Sequence, residues 1–405
     1  MKKIIALLLA LAMLFTLAAC QNGGPGATDN SGATNSTGTT NSTGTTNGSE
    51  GPALDSKGRY PAETVKIGFV NYDTTAELTL SIQRYFDYLD DYFNFEVIWS
   101  ESLGSAEEEF AFIEQCAAAG CKAIIGYYNE GHEESVRLCK DLGMYYWGQG
   151  QDEGIMAAYG NDPIYLGSYY VGNADYEYGK GCVEILVKNN CHKIIMVSGG
   201  KDMGVPMFVD RYQGAMDAIA AAKNSGYDIE VVYEVPGWPG TEEFSAHQAS
   251  ALATDADGLC SLLTALMWIQ PMQTAGKFGQ IKVAAVDTLS EDVLAMFGAG
   301  MYVGVSAEIF DAFGLSIPMI LNAVEGYGEC QRTADGKAAL VNAGWWLVDN
   351  MEDAAYYAAV ETDGTWVFDA EDIRSILGAY NPDLTVEDMS ALYTAVTAEQ
   401  IQSRR

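Results

Sequence analysis

Short apolar runs and amphipathic stretches alternate along most of this chain. Near-continuous runs of aliphatic and aromatic residues predict strands at 65–70, 95–99, 121–127, 145–148 and 164–171, and again at 193–197, 229–235, 258–263 and 281–286. Between them, apolar positions spaced three or four residues apart predict helices at 75–93, 106–119, 132–142, 176–188, 211–222 and 242–253, with another near Gln270. An unbroken or alternating apolar run marks a strand and a period near 3.6 marks a helix, so the alternation of the two describes βαβ units on parallel sheets. Two such series follow one another. The expected fold class is therefore α/β, with two Rossmann-like lobes. Open parallel sheets take ligands just beyond the carboxyl ends of their strands, and a cleft between two facing sheets would be lined by strand-end loops from both.

The first residues follow different rules. Lys2 and Lys3, an apolar run at 4–17 and then Leu17-Ala18-Ala19-Cys20 make residues 1–20 an export signal, too short in its apolar part to remain as a comfortable span. Leu17-Ala18-Ala19-Cys20 resembles a lipobox, which implies that Cys20 is acylated and becomes the anchor. Each buried acyl CH₂ contributes about 0.8 kcal/mol, so two or three chains hold a protein firmly on a membrane. Residues 21–58 are almost entirely Gly, Ser, Thr, Asn, Ala and Pro, with Asn-Ser-Thr-Gly-Thr-Thr at 35 and again at 41. Such a stretch buries no core and reads as a disordered tether.

Charge and reactive residues narrow the function. A net charge of -33 excludes nucleic acid, whose phosphates need basic patches, and peripheral docking on anionic lipid, which leaves the anchoring to Cys20. Apart from Cys20, the cysteines are Cys116, Cys121, Cys139, Cys182, Cys191, Cys260 and Cys330, an odd set at irregular spacing that is no disulfide framework and no metal finger. The three histidines, His132, His192 and His247, stand beside no nucleophile motif. Gly304-Val305-Ser306-Ala307-Glu308 fails the nucleophile elbow at its last position, and Ser198-Gly199-Gly200-Lys201 lacks the spacing of a phosphate-binding loop. No catalytic residue, metal or cofactor is expected.

Four motifs in order carry a family resemblance. Val171-Gly172-Asn173-Ala174-Asp175, continuing to Tyr178-Gly179-Lys180, is similar to the first crossover of the type I periplasmic binding proteins, the ribose, galactose and xylose binders. Asp210-Arg211-Tyr212-Gln213-Gly214 resembles their Arg-x-x-Gly helix opening, Val283-Ala284-Ala285-Val286-Asp287 their strand ending in Asp, and 301–314, with Gly300 before it and Glu308 within it, their second crossover. The resemblance implies a three-crossover hinge between an N-terminal lobe of 64–172 plus 308–341 and a C-terminal lobe of 173–304 plus 342–350, with the third crossover near 346–350 and a C-terminal extension at 351–405. Within that extension, Thr362-Asp363-Gly364-Thr365 is expected to turn a hairpin between 358–360 and 366–368.

The resemblance also implies a ligand. Hydroxyl-rich molecules need fixed hydrogen bonds, strongest from charged groups, and aromatic rings for their C–H faces. Arg211 and Asp287 are the first candidates, then Asp175 and Glu308, with Tyr72 and Trp238 as platforms and Asn71 and Asp73 as polar neighbours; Tyr127, Tyr128 and Trp147 also end predicted strands. Where sugar binders carry Asp-Asn and Asn-Asp, this chain has Ala174-Asp175 and Thr264-Ala265, which opens the ligand to another sugar, a nucleoside or an amine. The implied role is a monomeric solute-binding lipoprotein on the outer face of the cell membrane, capturing a small molecule for an ABC permease. The alternative is a ligand-binding sensor partner that hands its closed state to a membrane receptor instead of a transporter.

Overall fold

A computed structural model describes residues 51–127, 131–148, 153–171, 173–204, 206–362 and 364–405. The export signal at 1–20, Cys20, the tether through residue 50, Tyr128, Gly172 and Asp363 lie outside them. Among the described residues no helix is long and apolar enough to cross a membrane. Fixed contacts begin before the expected first strand: Asp55 accepts hydrogen bonds from the Lys57 and Arg59 backbones at 2.8 Å each, and the Arg59 guanidinium bridges it to Asp90.

The first series forms one sheet from β1 (Tyr60–Asn71), β2 (Phe93–Ser102), β3 (Ala123–Gly126), β4 (Tyr145–Gly148) and β5 (Tyr165–Tyr170), completed by β11 (Ala339–Asn342). The second series forms another from β6 (Lys193–Gly199), β7 (Glu230–Pro236), β8 (Gly258–Ser261), β9 (Lys282–Val286) and β10 (Tyr302–Ala307), with β12 (Trp346–Val348) on its edge. Their orders are β11-β5-β4-β3-β1-β2 and β12-β10-β9-β8-β6-β7. All the strands run parallel except β12, which pairs antiparallel with β10. Parallel strands covered by helices on both faces must be apolar throughout, and Gly258–Ser261 and the last four residues of Lys282–Val286 are buried without alternation. In each sheet the first strand lies between the second and third, so the order reverses at β1 and at β6; the carboxyl ends at such a reversal form a ready crevice.

The chain crosses between the sheets after β5, after β10 and between β11 and β12, the three-crossover arrangement expected. The third crossover is earlier than predicted, at residues 343–345, because Trp346–Val348 is itself a strand of the second sheet. The hairpin expected around 362–365 is absent. Met351–Thr362 is a helix, its start set by Asn350, whose side chain accepts from the Asp353 backbone at 2.9 Å, and by Glu352 and Asp353 in the first turn. Trp366 then takes a left-handed φ of 45°, and 365–368 runs as a strap over the helix Glu77–Asp90, where Trp366 packs on Tyr85 and Tyr88. Nor is 351–405 a separate layer: Val367, Phe368, Ile373, Leu377, Met389 and Tyr393 are buried in the same apolar core as Phe69 and Phe313.

Candidate functional site

Arg211 sits inside the helix Pro206–Asn224, five residues from its start. The sequence placed that start at Arg211 itself; Pro206, whose fixed φ suits the first turn, opens the helix earlier. The effect is to bury the guanidinium, leaving it 5 % exposed. Its Nε donates to Asp175 Oδ1 at 2.7 Å, Nη1 donates to the Leu262 carbonyl at 3.0 Å, and Nη2 lies 3.6 Å from Glu308 Oε1. The rings of Phe208 and Tyr178 flank it at 5.5 and 5.6 Å, within cation–π range. The two acids face outward, with side chains 36 and 40 % exposed. The expected fork from Arg211 to a ligand is thus largely committed within the protein: the cation stands behind and the carboxylates present themselves.

Each member comes from the carboxyl end of a strand or the helix that follows. Asp175 opens the helix Ala174–Lys188 after the first crossover, Leu262 follows β8, and Glu308 is the first residue after β10. The helices Ala174–Lys188 and Pro206–Asn224 bring Asp175 and Arg211 together because glycines let their backbones touch. A Cβ on Gly179 would lie 1.8 Å from the Arg211 carbonyl oxygen, and one on Gly214 1.9 Å from that of Tyr176. At Glu308, burial raises the carboxyl's pKa, Arg211 lowers it and Asp175 raises it again. Although water reaches it, protein surrounds most of it, and burial dominates.

Asp287 follows β9 and is held by its own neighbours. Oδ2 accepts from Tyr302 Oη at 2.7 Å, Thr264 Oγ1 at 2.8 Å and the Ala265 N–H at 3.2 Å, while Oδ1 accepts from the Thr288 N–H at 2.9 Å. Burial raises its pKa against all four of these bonds. Thr264 and Ala265, which stand where sugar binders have Asn-Asp, thus position Asp287, and Oδ1 keeps capacity for a further donor.

On the first sheet's side, Asn71 is buried at the end of β1, with its amide N–H₂ directed to the Ser100 carbonyl and no partner for Oδ1 among the described residues. Tyr72 is 43 % exposed, its ring edge-on to Tyr127 at 5.1 Å. Asp73 turns away to cap Thr75 through N–H and Oγ1 bonds of 2.8 and 2.7 Å. Trp147 is core, packed against Tyr169 and Phe313. Trp238, half exposed after β7, meets Phe208 edge-on at 5.7 Å and so continues the aromatic wall behind Arg211. Burial pushes the Tyr127 and Tyr178 phenols far up, and Tyr169 and Glu308 add to the rise at both.

The structure therefore gathers Arg211, Asp175, Glu308 and, through Phe208, Trp238; Asp287 stands one loop away, and Asp73 is spent on its own turn. Sequence reasoning passed over Phe208, Tyr178, Tyr169 and Tyr302. Two of these carried a signal, since Phe208 precedes Arg211, and Tyr178 follows Asp175, by three residues, which puts each pair on one helix face.

Comparison with known proteins bears on this arrangement. No family model and no curated protein matches the sequence. Solved structures do match. A periplasmic sugar-binding protein from Pseudomonas fluorescens superposes with a TM-score of 0.61 at 14 % identity, covering 84 % of this chain and 99 % of that one. An ABC transporter periplasmic solute binding protein from Actinobacillus succinogenes, with bound D-allose, gives 0.57 at 16 % identity over 72 and 100 % of the two chains. The periplasmic binding protein of the arabinose ABC transporter from Shewanella sp. ANA-3, bound to L-arabinofuranose, gives 0.56 at 15 % over 74 and 97 %. At such identities the likeness is one of fold: the chain has the two-lobed fold of the type I periplasmic binding proteins, as its four motifs implied.

Proposed function

We propose that this protein is an extracytoplasmic solute-binding lipoprotein that captures a sugar or similar polyol between its lobes and delivers it to an ABC importer. The observation that carries the reading is the Arg211–Asp175–Glu308 cluster at strand ends beside the first and second crossovers, walled by Phe208, Tyr178 and Trp238. Outward carboxylates accept hydrogen bonds from hydroxyls, and charged acceptors bind them more strongly than neutral ones. The aromatic walls suit the C–H faces of a sugar ring. Leu17-Ala18-Ala19-Cys20 supports the lipid anchor and the outer face of the membrane. Closure is a population shift in which a ligand touching both lobes favours the closed form.

Binding without catalysis fits the histidines. His192 stacks on Tyr227 and pairs with the Asp228 carbonyl, His247 pairs with Tyr233, and His132 lies against Tyr146, all apart from the cluster. One observation favours a second reading, a ligand bearing an amine: the two acids share one cation. On either reading anionic sugars are excluded, because the cation that would receive them is buried behind carboxylates.

A thermal-shift screen of the mature chain tests this against neutral pentoses and hexoses, myo-inositol, sugar acids, nucleosides, amino acids and polyamines. A ligand at a hundredfold over its dissociation constant adds about 2.7 kcal/mol, a clear rise in melting temperature. Neutral sugars should produce it and sugar acids should not; hits confined to amino acids or polyamines refute the sugar reading. Arg211→Ala should remove the ligand response and, by stranding two carboxylates, lower the stability of the free protein by about 2–3 kcal/mol.

A further inference from the structure

Segment 351–405 holds two of the three crossovers. At the second, Asp311 lies just beyond Glu308 and is completely buried; its Oδ2 accepts from the Val367 N–H of the strap. Beside it, the Tyr85 hydroxyl donates to the Phe368 carbonyl at 2.6 Å, and the Tyr85 ring packs on Trp366 at 5.0 Å. At the third, the Gly344 N–H donates to the Tyr393 carbonyl at 2.8 Å, and just beyond it, at the first residue of β12, the Trp346 indole N–H donates to the Val396 carbonyl at 2.9 Å. A Cβ on Gly344 would come within 2.5 Å of Val396 Cγ2, so the crossover is in direct contact with the segment.

The same segment reaches both lobes. Its helix Met351–Thr362 packs on the helix Glu291–Gly298 beside the second sheet and stacks Tyr357 on Trp346 at 4.3 Å. Its helix Val386–Thr394 packs on β11 of the first sheet, where Ser390 Oγ accepts from the Asn342 N–H at 3.1 Å. Arg404 and Arg405 tie these parts to the strap. Arg404 pairs with Asp372 at 3.1 Å and donates to the Val367 carbonyl at 2.8 Å; Arg405 pairs with Asp369 at 2.8 Å and donates to the carbonyls of Thr365, Trp366 and Val367.

From this we infer that segment 351–405 is a brace across the hinge, which sets how far apart the lobes stand and how readily they close by gripping the chain at Asp311 just past the second crossover, at Gly344 in the third, and at Trp346 where β12 begins. Lobe closure in two-lobed binders concentrates its φ/ψ changes in the few residues of the crossovers. Bonds made to those residues from outside either lobe's sheet must stretch or hold as the lobes move, so they contribute to the difference in free energy between open and closed states. The brace rests on the fold alone and needs no particular ligand.

The test uses the mature chain with spin labels at two exposed strand-end helix starts, Glu107 on the first lobe and Glu242 on the second. Arg404→Ala combined with Arg405→Ala frees the strap without replacing any residue of the cleft or the crossovers. The expected result is a shifted or broadened interlobe distance distribution in the ligand-free protein, with amide hydrogen exchange of β1 and β6 unchanged. A distribution identical to that of the parent overturns the brace. Should the double variant fail to fold, Trp346→Phe keeps a ring against Tyr357 and removes the bond to Val396 with part of the indole's packing on the segment; the same change in the distribution is expected, and its absence overturns the proposal equally. Because no ligand enters the measurement, failure here leaves the sugar reading untouched, and failure of the sugar screen leaves the brace untouched.

Discussion

Asp311 is ringed by apolar and phenolic groups, and burial pushes its pKa up to about 7, against the N–H groups of Val367 and Phe368 and the charge of Arg405, which pull it down. The phenols of Tyr85 and Tyr393 beside it are raised well above their usual value and stay neutral throughout this range. The folded state therefore binds this proton more tightly than the unfolded chain. The stability gained is fully present below the ordinary carboxylate range and is lost as pH rises through about 7. A carboxyl held that far above its ordinary value contributes on the order of a few kcal/mol. Asp311→Asn, which cannot titrate, should gain melting temperature relative to the parent as pH goes from 5 to 8. A constant difference across that range would show that Asp311 is already ionised at pH 5. None of this was readable from the chain, where Asp311 is one acid among many. Arg211, by contrast, was legible as a candidate position from its motif; its inward commitment was not, because partners at Asp175, Leu262 and Glu308 are decided by how three separate segments meet.

At the scale of elements, the parallel strands were legible because burial on both faces demands unbroken apolar runs, which few other structures need. Errors fell where one pattern fits two outcomes. Residues 358–360 are apolar enough for a strand, but they lie in a helix whose start depends on Asn350, a cap that a strand-seeking reading overlooks. The helices Ala174–Lys188 and Pro206–Asn224 cross with their backbones in contact, where Gly179 and Gly214 leave no space for a methyl group. Overpacking of this kind costs about 1–3 kcal/mol. Gly214→Ala should therefore lower the urea midpoint and, by prising Arg211 from Asp175, weaken any ligand found in the screen. An unchanged midpoint would mean that the helices separate freely and that the crossing does not position the cation.

For the molecule as a whole, a charge of -33 repels itself across the surface. Screening length falls from about 30 Å at 0.01 M salt to about 8 Å at 0.15 M, so the melting temperature should rise over that interval in NaCl and level off beyond it. A flat profile would mean that the surface acids are already compensated by their local pairs. The sequence by itself determined the α/β class, the two successive sheets and the crossover order, and it offered a small set of strand-end residues as candidates for a ligand site. These follow from local periodicity and from motifs, which need no knowledge of what packs where. Only the tertiary structure decided that Arg211 stands behind its carboxylates, that Thr264, Ala265 and Tyr302 hold Asp287, and that 351–405 folds back upon the hinge. Those are contacts between residues far apart in the chain, fixed by packing, and linear spacing carries no record of them.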